Sequence, residues 1–404
     1  MTGQVLMLTA DRQIDRRILN AATSLRTAEW EVTIVGAPVD TDFASEQGVL
    51  RIGSNTGDVS RESFVACVYR WLRTRMGRNS SVIRWLKQKA WYYLVDHETF
   101  HARLYWPTIK DLKASVIVAN DLPMLPVAAK LADACGAHLV YDSHELYSEQ
   151  EFPAVERMRW QAVERKFINR CNAVITVNES IADELQSRYG LSGVHVILNA
   201  ERCSAPPIPS RYWHETFGLP AEAMVLLFQG GLSANRNLDQ MVLAMLGLPN
   251  PSVHLILLGD GELQTTLAKL VQRHQLTDRV HLHPAVPQDR LLSLTAAADA
   301  GIIPYQAICL NNLYCTPNKL FEFIAAGLPI LASDLPEIRR IVVGQDIGKV
   351  GDLGQAEHIR AMIHDFFATP TRLVNWRRNL QIAQGRVCWE VEEKKLLRIY
   401  EQLR

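Results

Sequence analysis

The chain has 404 residues, 48% hydrophobic and 21% charged, which excludes a disordered chain and calls for two cores rather than one. Its 43 Lys and Arg balance its 43 Asp and Glu, so no global field selects nucleic acid or membrane as a partner. The cysteines, odd in number and never spaced C-x-x-C, argue against a disulfide framework or a zinc site and fit a reducing cytoplasm.

In chain order, the start "MTGQVLMLTADRQIDRR" has too short an apolar run for a signal peptide. No stretch approaches the roughly 18 apolar residues of a membrane span. The expected location is the cytoplasm, with peripheral contact at the inner face of the cytoplasmic membrane as an option. Runs with strand character fall at 4–9, 31–36, 115–120, 137–142, 172–177 and 194–198, then at 224–229, 253–259, 279–283, 300–304 and 329–333. Between the first two, Ile14, Ile18, Ala22 and Leu25 keep helical spacing. Strands apolar on both faces and separated by helices predict an α/β chain with parallel sheets covered on both sides. The proline-rich "CSAPPIPS" at 203–210 is the expected linker. The predicted domains are therefore 1–205 and 206–387, each Rossmann-like, with a cleft between them.

A local asymmetry interrupts the first half. Residues 61–93 hold eight Lys and Arg against the single acid Glu62, interleaved with Phe64, Tyr69, Trp71, Trp85, Trp91, Tyr92 and Tyr93. Basic amphipathic helices with aromatics lie on anionic membranes. An ordinary helical pair with a solvated basic face fits as well.

Ligands of open α/β sheets bind beyond the carboxyl ends of the strands, and the unusual polar clusters fall there: "ANDLP", "DSHELYSE", "QGGLSANRN", "GDGEL", "PYQ" and "NNLYCTPNK". In "QGGLSANRN", Gly230 and Gly231 let backbone approach a ligand, and Arg236 offers a guanidinium suited to phosphate oxygens. In "TPNK", Thr316 is the expected N-cap and Pro317 the first helical residue, with free N–H groups beyond and Lys319 adding charge. Asn318, Lys319 and Glu322 share a helix face, which a solvated Lys-Glu pair explains equally. Two anion sites with an acid one turn on suit a nucleotide diphosphate, Glu322 accepting bonds from ribose hydroxyls. His144 follows a strand end beside Glu145. Asp15 and Asp121 read as site residues or as helix caps. No G-x-G-x-x-G follows a strand, which disfavours a dehydrogenase.

The stretches "PNKLFEFIAAGLPILASDLPEI", "YDSHELYSE", "QGGLSANRNLD", "LLGDGEL" and "ERKFINRCNAVITVNESIADEL" together resemble family 4 of the retaining nucleotide-sugar glycosyltransferases, of the GT-B fold. The resemblance implies a nucleotide-diphospho-sugar co-substrate held by the second domain, no further cofactor and no metal, and a glycan or lipid-linked acceptor held by the first. It also implies that the C-terminal helix, about 388–404, packs back on the first domain. Glu322 matches the second acid of the family's E-x7-E motif and Arg236 the basic residue on the donor diphosphate. Lys319 falls near the phosphates, and His144 resembles the histidine beside the transferred sugar. Donor-binding candidates are Gly230, Gly231, Asn235, Gly259, Gly261, Val286, Tyr305, Asn312, Tyr314, Thr316, Pro317 and Asn318; Asp15, Asp121 and Glu145 are candidates on the acceptor side. Two positions depart from the pattern: Tyr314 stands where the first acid is expected, and Gly231 where arginine is usual. The D-x-D at Asp40-Thr41-Asp42 reads as a turn, not a metal site. A nucleotide-sugar 2-epimerase and a non-catalytic scaffold in polysaccharide assembly remain as alternatives.

Overall fold

The computed structural model describes residues 3–39, 48–53, 95–202, 207 and 210–404. The basic aromatic segment 61–93 and the D-x-D at 40–42 lie outside the described residues. The chain folds as two units, Met1–Ile197 with Glu393–Arg404, and Leu198–Glu392. This division falls eight residues before the expected boundary, at Ile197. Hydrogen bonding accounts for the difference. The Leu198 N–H donates to Glu392 Oε2 at 2.9 Å, and the Trp389 N–H to the Glu201 carbonyl at 2.7 Å. Residues 198–202 and 388–392 are thereby tied together within the second unit.

The N-terminal unit is a seven-stranded parallel sheet in the order β3-β2-β1-β4-β5-β6-β7. Its strands are β1 (Gln4–Leu8), β2 (Glu31–Gly36), β3 (Val49–Arg51), β4 (Val116–Asn120), β5 (His138–Ser143), β6 (Ala173–Thr176) and β7 (His195–Val196). Every residue of β4 and β6 is buried, so both faces of the sheet are covered. Asp15 starts the helix Arg16–Thr27, its carboxylate accepting from the Arg17 N–H at 2.7 Å. Residues of the 393–404 segment also pack in this unit: Tyr400 meets Trp30 edge-on at 5.9 Å, and the Arg404 guanidinium lies 5.1 Å from the Trp30 ring.

The second unit repeats the plan with six parallel strands in the order β10-β9-β8-β11-β12-β13. These are β8 (Met224–Gln229), β9 (Val253–Leu258), β10 (Val280–His283), β11 (Ala300–Ile303), β12 (Ile330–Ser333) and β13 (Gly348–Gly351). In each unit the strand order reverses once, between β1 and β4 and between β8 and β11, where doubly wound sheets bind ligands. The helix Asn318–Ala325 buries Leu320, Phe321, Phe323 and Ile324, each worth about 1.5–3 kcal/mol. Phe323 fits against β11 because residue 301 is glycine: a Cβ there would lie 2.5 Å from the ring. Leu328 follows the left-handed Gly327 at φ 70°, which ends the helix. That seating fixes where Lys319 and Glu322 emerge. Among the described residues no helix is long and apolar enough to cross a membrane.

Candidate functional site

The second unit gathers its polar set at the carboxyl ends of β8 and β11. Gly230 follows β8 at φ 114°, and Gly259 follows β9 at φ 146°, angles that side chains resist. Any Cβ on Gly259 would sit 2.0 Å from the Gly230 carbonyl, and one on Gly261 2.3 Å from the Leu232 carbonyl. Both glycines are therefore needed for loop-to-loop packing, which the Gly230 N–H to Leu258 and Leu232 N–H to Asp260 bonds at 2.9 Å complete. Gly231 meets nothing closer than 3.9 Å, so packing makes no such demand there.

Arg236 is presented by a loop in which Asn235 and Asn237 take left-handed conformations at φ 69° and 53°, a role asparagine tolerates. The Asn237 carboxamide anchors the loop by donating to the carbonyls of Leu353 at 2.5 Å and Gly354 at 3.1 Å. Arg236 then lies 4.0 Å from the Tyr305 ring centroid, at the end of β11. Lys319 Nζ stands 3.8 Å from the Phe228 ring and 4.9 Å from that of Tyr305. Two cations thus share one aromatic platform, and neither makes an ion pair with a carboxylate among the described residues. Burial pushes the Lys319 amine well below its ordinary value, and Arg236 adds to the push while Glu322 opposes it. The solvated Lys-Glu pair is excluded, since both side chains are buried.

The helix carrying them begins one residue later than expected. Pro317 is its N-cap, with an extended ψ of 144°, and no side chain caps it; Thr316 lies outside. Asn318 accepts from Asn199 Nδ2 at 2.9 Å. Glu322 Oε2 accepts from Gln229 Nε2 at 2.5 Å, and Gln229 Oε1 accepts from the Thr295 hydroxyl at 2.8 Å. Asn312 and Tyr314 sit in and just after the short helix Leu310–Leu313, whose cap is Cys309. Val286 is a half-buried loop residue packed on the core of this unit.

In the N-terminal unit the ends of β4 and β5 bring Asp121, Asp142 and His144 together. His144 Nδ1 is 3.3 Å from Asp121 Oδ2, and Nε2 is 3.6 Å from Asp142 Oδ2. The His144 N–H also donates to Asp121 Oδ1 at 2.9 Å. Asp121 caps nothing by its side chain and holds φ 65°, ψ 162°, a strained backbone costing about 1–3 kcal/mol that such sites retain. Arg17 Nη2 and Nε reach Asp142 Oδ1 and Oδ2 at 2.8 and 3.0 Å, and Arg17 Nη1 donates to the Ile197 carbonyl at 2.7 Å. Burial disfavours the Asp142 charge, but Arg17 and His144 override it and hold the carboxyl well below the usual range. For His144, burial is likewise overridden, by Asp121 and Asp142, which raise the imidazole to about 9. Burial also raises the Asp121 carboxyl, to about 7, against the pull of His144, so His144 and Asp121 compete for protons beside an Asp142 held ionised by Arg17. Asp15 stays a helix cap, and Glu145 takes the Gln150 carboxamide.

Sequence reasoning did not single out Arg17, Asp142, Gln229 or Thr295. Asp142 and Gln229 stood inside quoted motifs without a role. Arg17 and Thr295 have partners 125 and 66 residues away, which no local spacing reveals. Among the described residues no group of three His, Cys, Asp or Glu could hold a metal.

Each half of the chain is matched by a known family. The family described as Glycosyl transferases group 1 matches residues 209–382, and that described as Glycosyl transferase 4-like domain matches residues 14–200. The D-inositol 3-phosphate glycosyltransferase of Xylanimonas cellulosilytica is 25% identical over 261 residues, covering 59% of each chain. The curated relatives are matched over about three fifths of their own length. Among solved structures, sucrose-phosphate synthase from Thermosynechococcus elongatus aligns with a TM-score of 0.73 at 17% identity, over 99% of both chains. HepE from Anabaena, solved with UDP, aligns with a TM-score of 0.68 at 16% identity, over 99% of this chain and 100% of its own.

Proposed function

We propose, from the premise that this chain belongs to the GT-B glycosyltransferases of the family 4 type, that it transfers a sugar from a nucleotide-diphospho-sugar to a glycan or lipid-linked acceptor with retention. The observation that carries the reading is the pair Arg236 and Lys319, two basic groups on one aromatic platform, neither ion-paired with a carboxylate among the described residues. A desolvated pair of like charges is unfavourable by itself, and a diphosphate spanning both would offset the cost. Glu322 then accepts from the ribose hydroxyls. UDP and UDP-glucose bound to HepE make a uridine donor the first to try.

In the proposed reaction the bond from the anomeric carbon to the diphosphate oxygen breaks while the acceptor oxygen bonds to the same face. The departing oxygen takes the acceptor's proton. Catalysis then rests on stabilising charge at the leaving group, which Arg236, Lys319 and the uncapped helix start at Asn318 supply as fixed dipoles and charges. In the first unit His144 orients Asp121, whose carboxyl would accept from a sugar hydroxyl. In this scheme Tyr314, in place of the first acid, bears on recognition of the donor sugar's hydroxyls, and Gly231, in place of arginine, removes one phosphate contact. A polysaccharide or glycolipid acceptor on the cytoplasmic membrane is the setting that segment 61–93 suits.

The test is calorimetric titration with UDP, ADP and GDP, followed by a screen of their sugar conjugates with proton NMR of the product's anomeric signal. Arg236→Ala and Glu322→Ala should each cost about 1.5–3 kcal/mol of diphosphate affinity. Unchanged affinity in both variants would remove the site, and inversion at the anomeric carbon would remove the retaining assignment.

A further inference from the structure

We propose that Gln229 and Thr295 are positioning residues that set Glu322 for the vicinal hydroxyls of a nucleoside; this rests on the donor reading above. Three separate elements meet here. Gln229 ends β8, Thr295 closes the helix Gln288–Thr295, and Glu322 sits in the helix Asn318–Ala325. Thr295 is 0% and Gln229 1% exposed, so water does not substitute for either partner.

The direction of the relay is fixed by chemistry. A carboxylate accepts and does not donate, so the Gln229 carboxamide must turn Nε2 toward Glu322, as its 2.5 Å contact requires. Oε1 then faces Thr295 at 2.8 Å. The Thr295 hydroxyl must give its proton to Oε1 rather than to the Leu291 carbonyl, also 2.8 Å away. Each choice forces the next, and Glu322 Oε2 is left with one orientation. If these positions served packing alone, apolar side chains of similar size would fill them without polar atoms to satisfy. A fully buried chain ending on a carboxylate is costly to leave half-made, which is how it can hold that carboxylate still.

The experiment titrates the intact protein with UDP, ADP and GDP and with their 2′,3′-dideoxy forms. Thr295→Val and Gln229→Met should each weaken the ribonucleotide about tenfold while leaving the dideoxy form within about twofold, the loss of one charge-assisted bond. Thr295→Ser, which keeps the hydroxyl, should restore binding. Equal losses for both forms, as a general packing defect would give, overturn the inference, as do variants that keep full preference for the ribose. Should the unaltered protein bind none of the three diphosphates, the donor reading falls together with the relay. Should Gln229→Met not fold, the near-isosteric Thr295→Val and its serine counterpart decide the matter.

Discussion

At Lys319 a buried amine lies beside Arg236, and among the described residues no carboxylate is bonded to it. Its depressed affinity for a proton sets a sign for ligand binding. In the free protein the amine titrates below the ordinary lysine value, and a bound diphosphate would draw it back up. Between those two values binding takes up a proton, so diphosphate affinity should fall as pH rises through that window. Calorimetry in buffers of different ionisation enthalpy measures the uptake directly. Lys319→Met should lower affinity and abolish the uptake; an unaltered proton count in that variant would show that the lysine is not at the phosphates. Residue types at this site were legible because glycines, a guanidinium and a proline-led helix start are local signals. Their hydrogen-bond partners were not. Gln229 and Thr295 became meaningful only when a strand end and a helix end met, and Arg17 only when it reached Asp142.

The helix Asn318–Ala325 is the element that carries the donor site, and it is held by one close fit. Phe323 lies where a Cβ on Gly301 would stand, at 2.5 Å. Gly301→Ala should therefore destabilise the protein by about 1–3 kcal/mol through overpacking and weaken diphosphate binding, because the helix must shift to relieve the clash. A melting curve and a titration on one sample test both; lost stability with binding intact would show that Lys319 and Glu322 do not depend on this seat. Strands were the most legible elements. The run at 31–36 is Glu31–Gly36, and the run at 224–229 is Met224–Gln229. The edge strands β3 and β13 escaped notice. β3 is three half-buried residues. β13 reads Gly348-Lys349-Val350-Gly351, where a Cβ at 348 would lie 1.9 Å from the Ile330 carbonyl, so glycine is needed there but erases any hydrophobic pattern. The helix start was misplaced by one residue because the sequence does not reveal whether proline sits at the first helical position or just before it.

Across the molecule, acid should act through buried imidazoles in both units: His101 in the first, lowered to about 4 by burial, and a histidine pair in the second. His254 on β9 and His281 on β10 share one hydrogen bond, Nδ1 to Nε2 at 3.3 Å, and His281 stacks on Phe217 at 4.6 Å. One ring must accept, so both cannot carry two protons. Burial lowers both imidazoles, with Arg279 adding to the effect on His254; His281 falls from 6.5 to about 4. Unfolded chains bind protons there first, so stability should decline as pH drops from 6.5 toward 4 and hold steady above. His281→Gln should flatten that decline in a series of melting curves; an equally steep decline in the variant would place the acid sensitivity elsewhere. Two sheets and their parallel strands could be anticipated from alternation alone. That the segment 393–404 belongs to the first unit was implied by the family resemblance alone, because nothing in its own pattern names the surface it covers.

That placement has a consequence for biosynthesis. Translation delivers N-terminal domains first, and they usually fold first. Here Trp30 acquires Tyr400 and Arg404 only after every residue of 198–392 has left the ribosome. The unit begun earliest is thus the one finished last, and until then Trp30 lacks both of these partners.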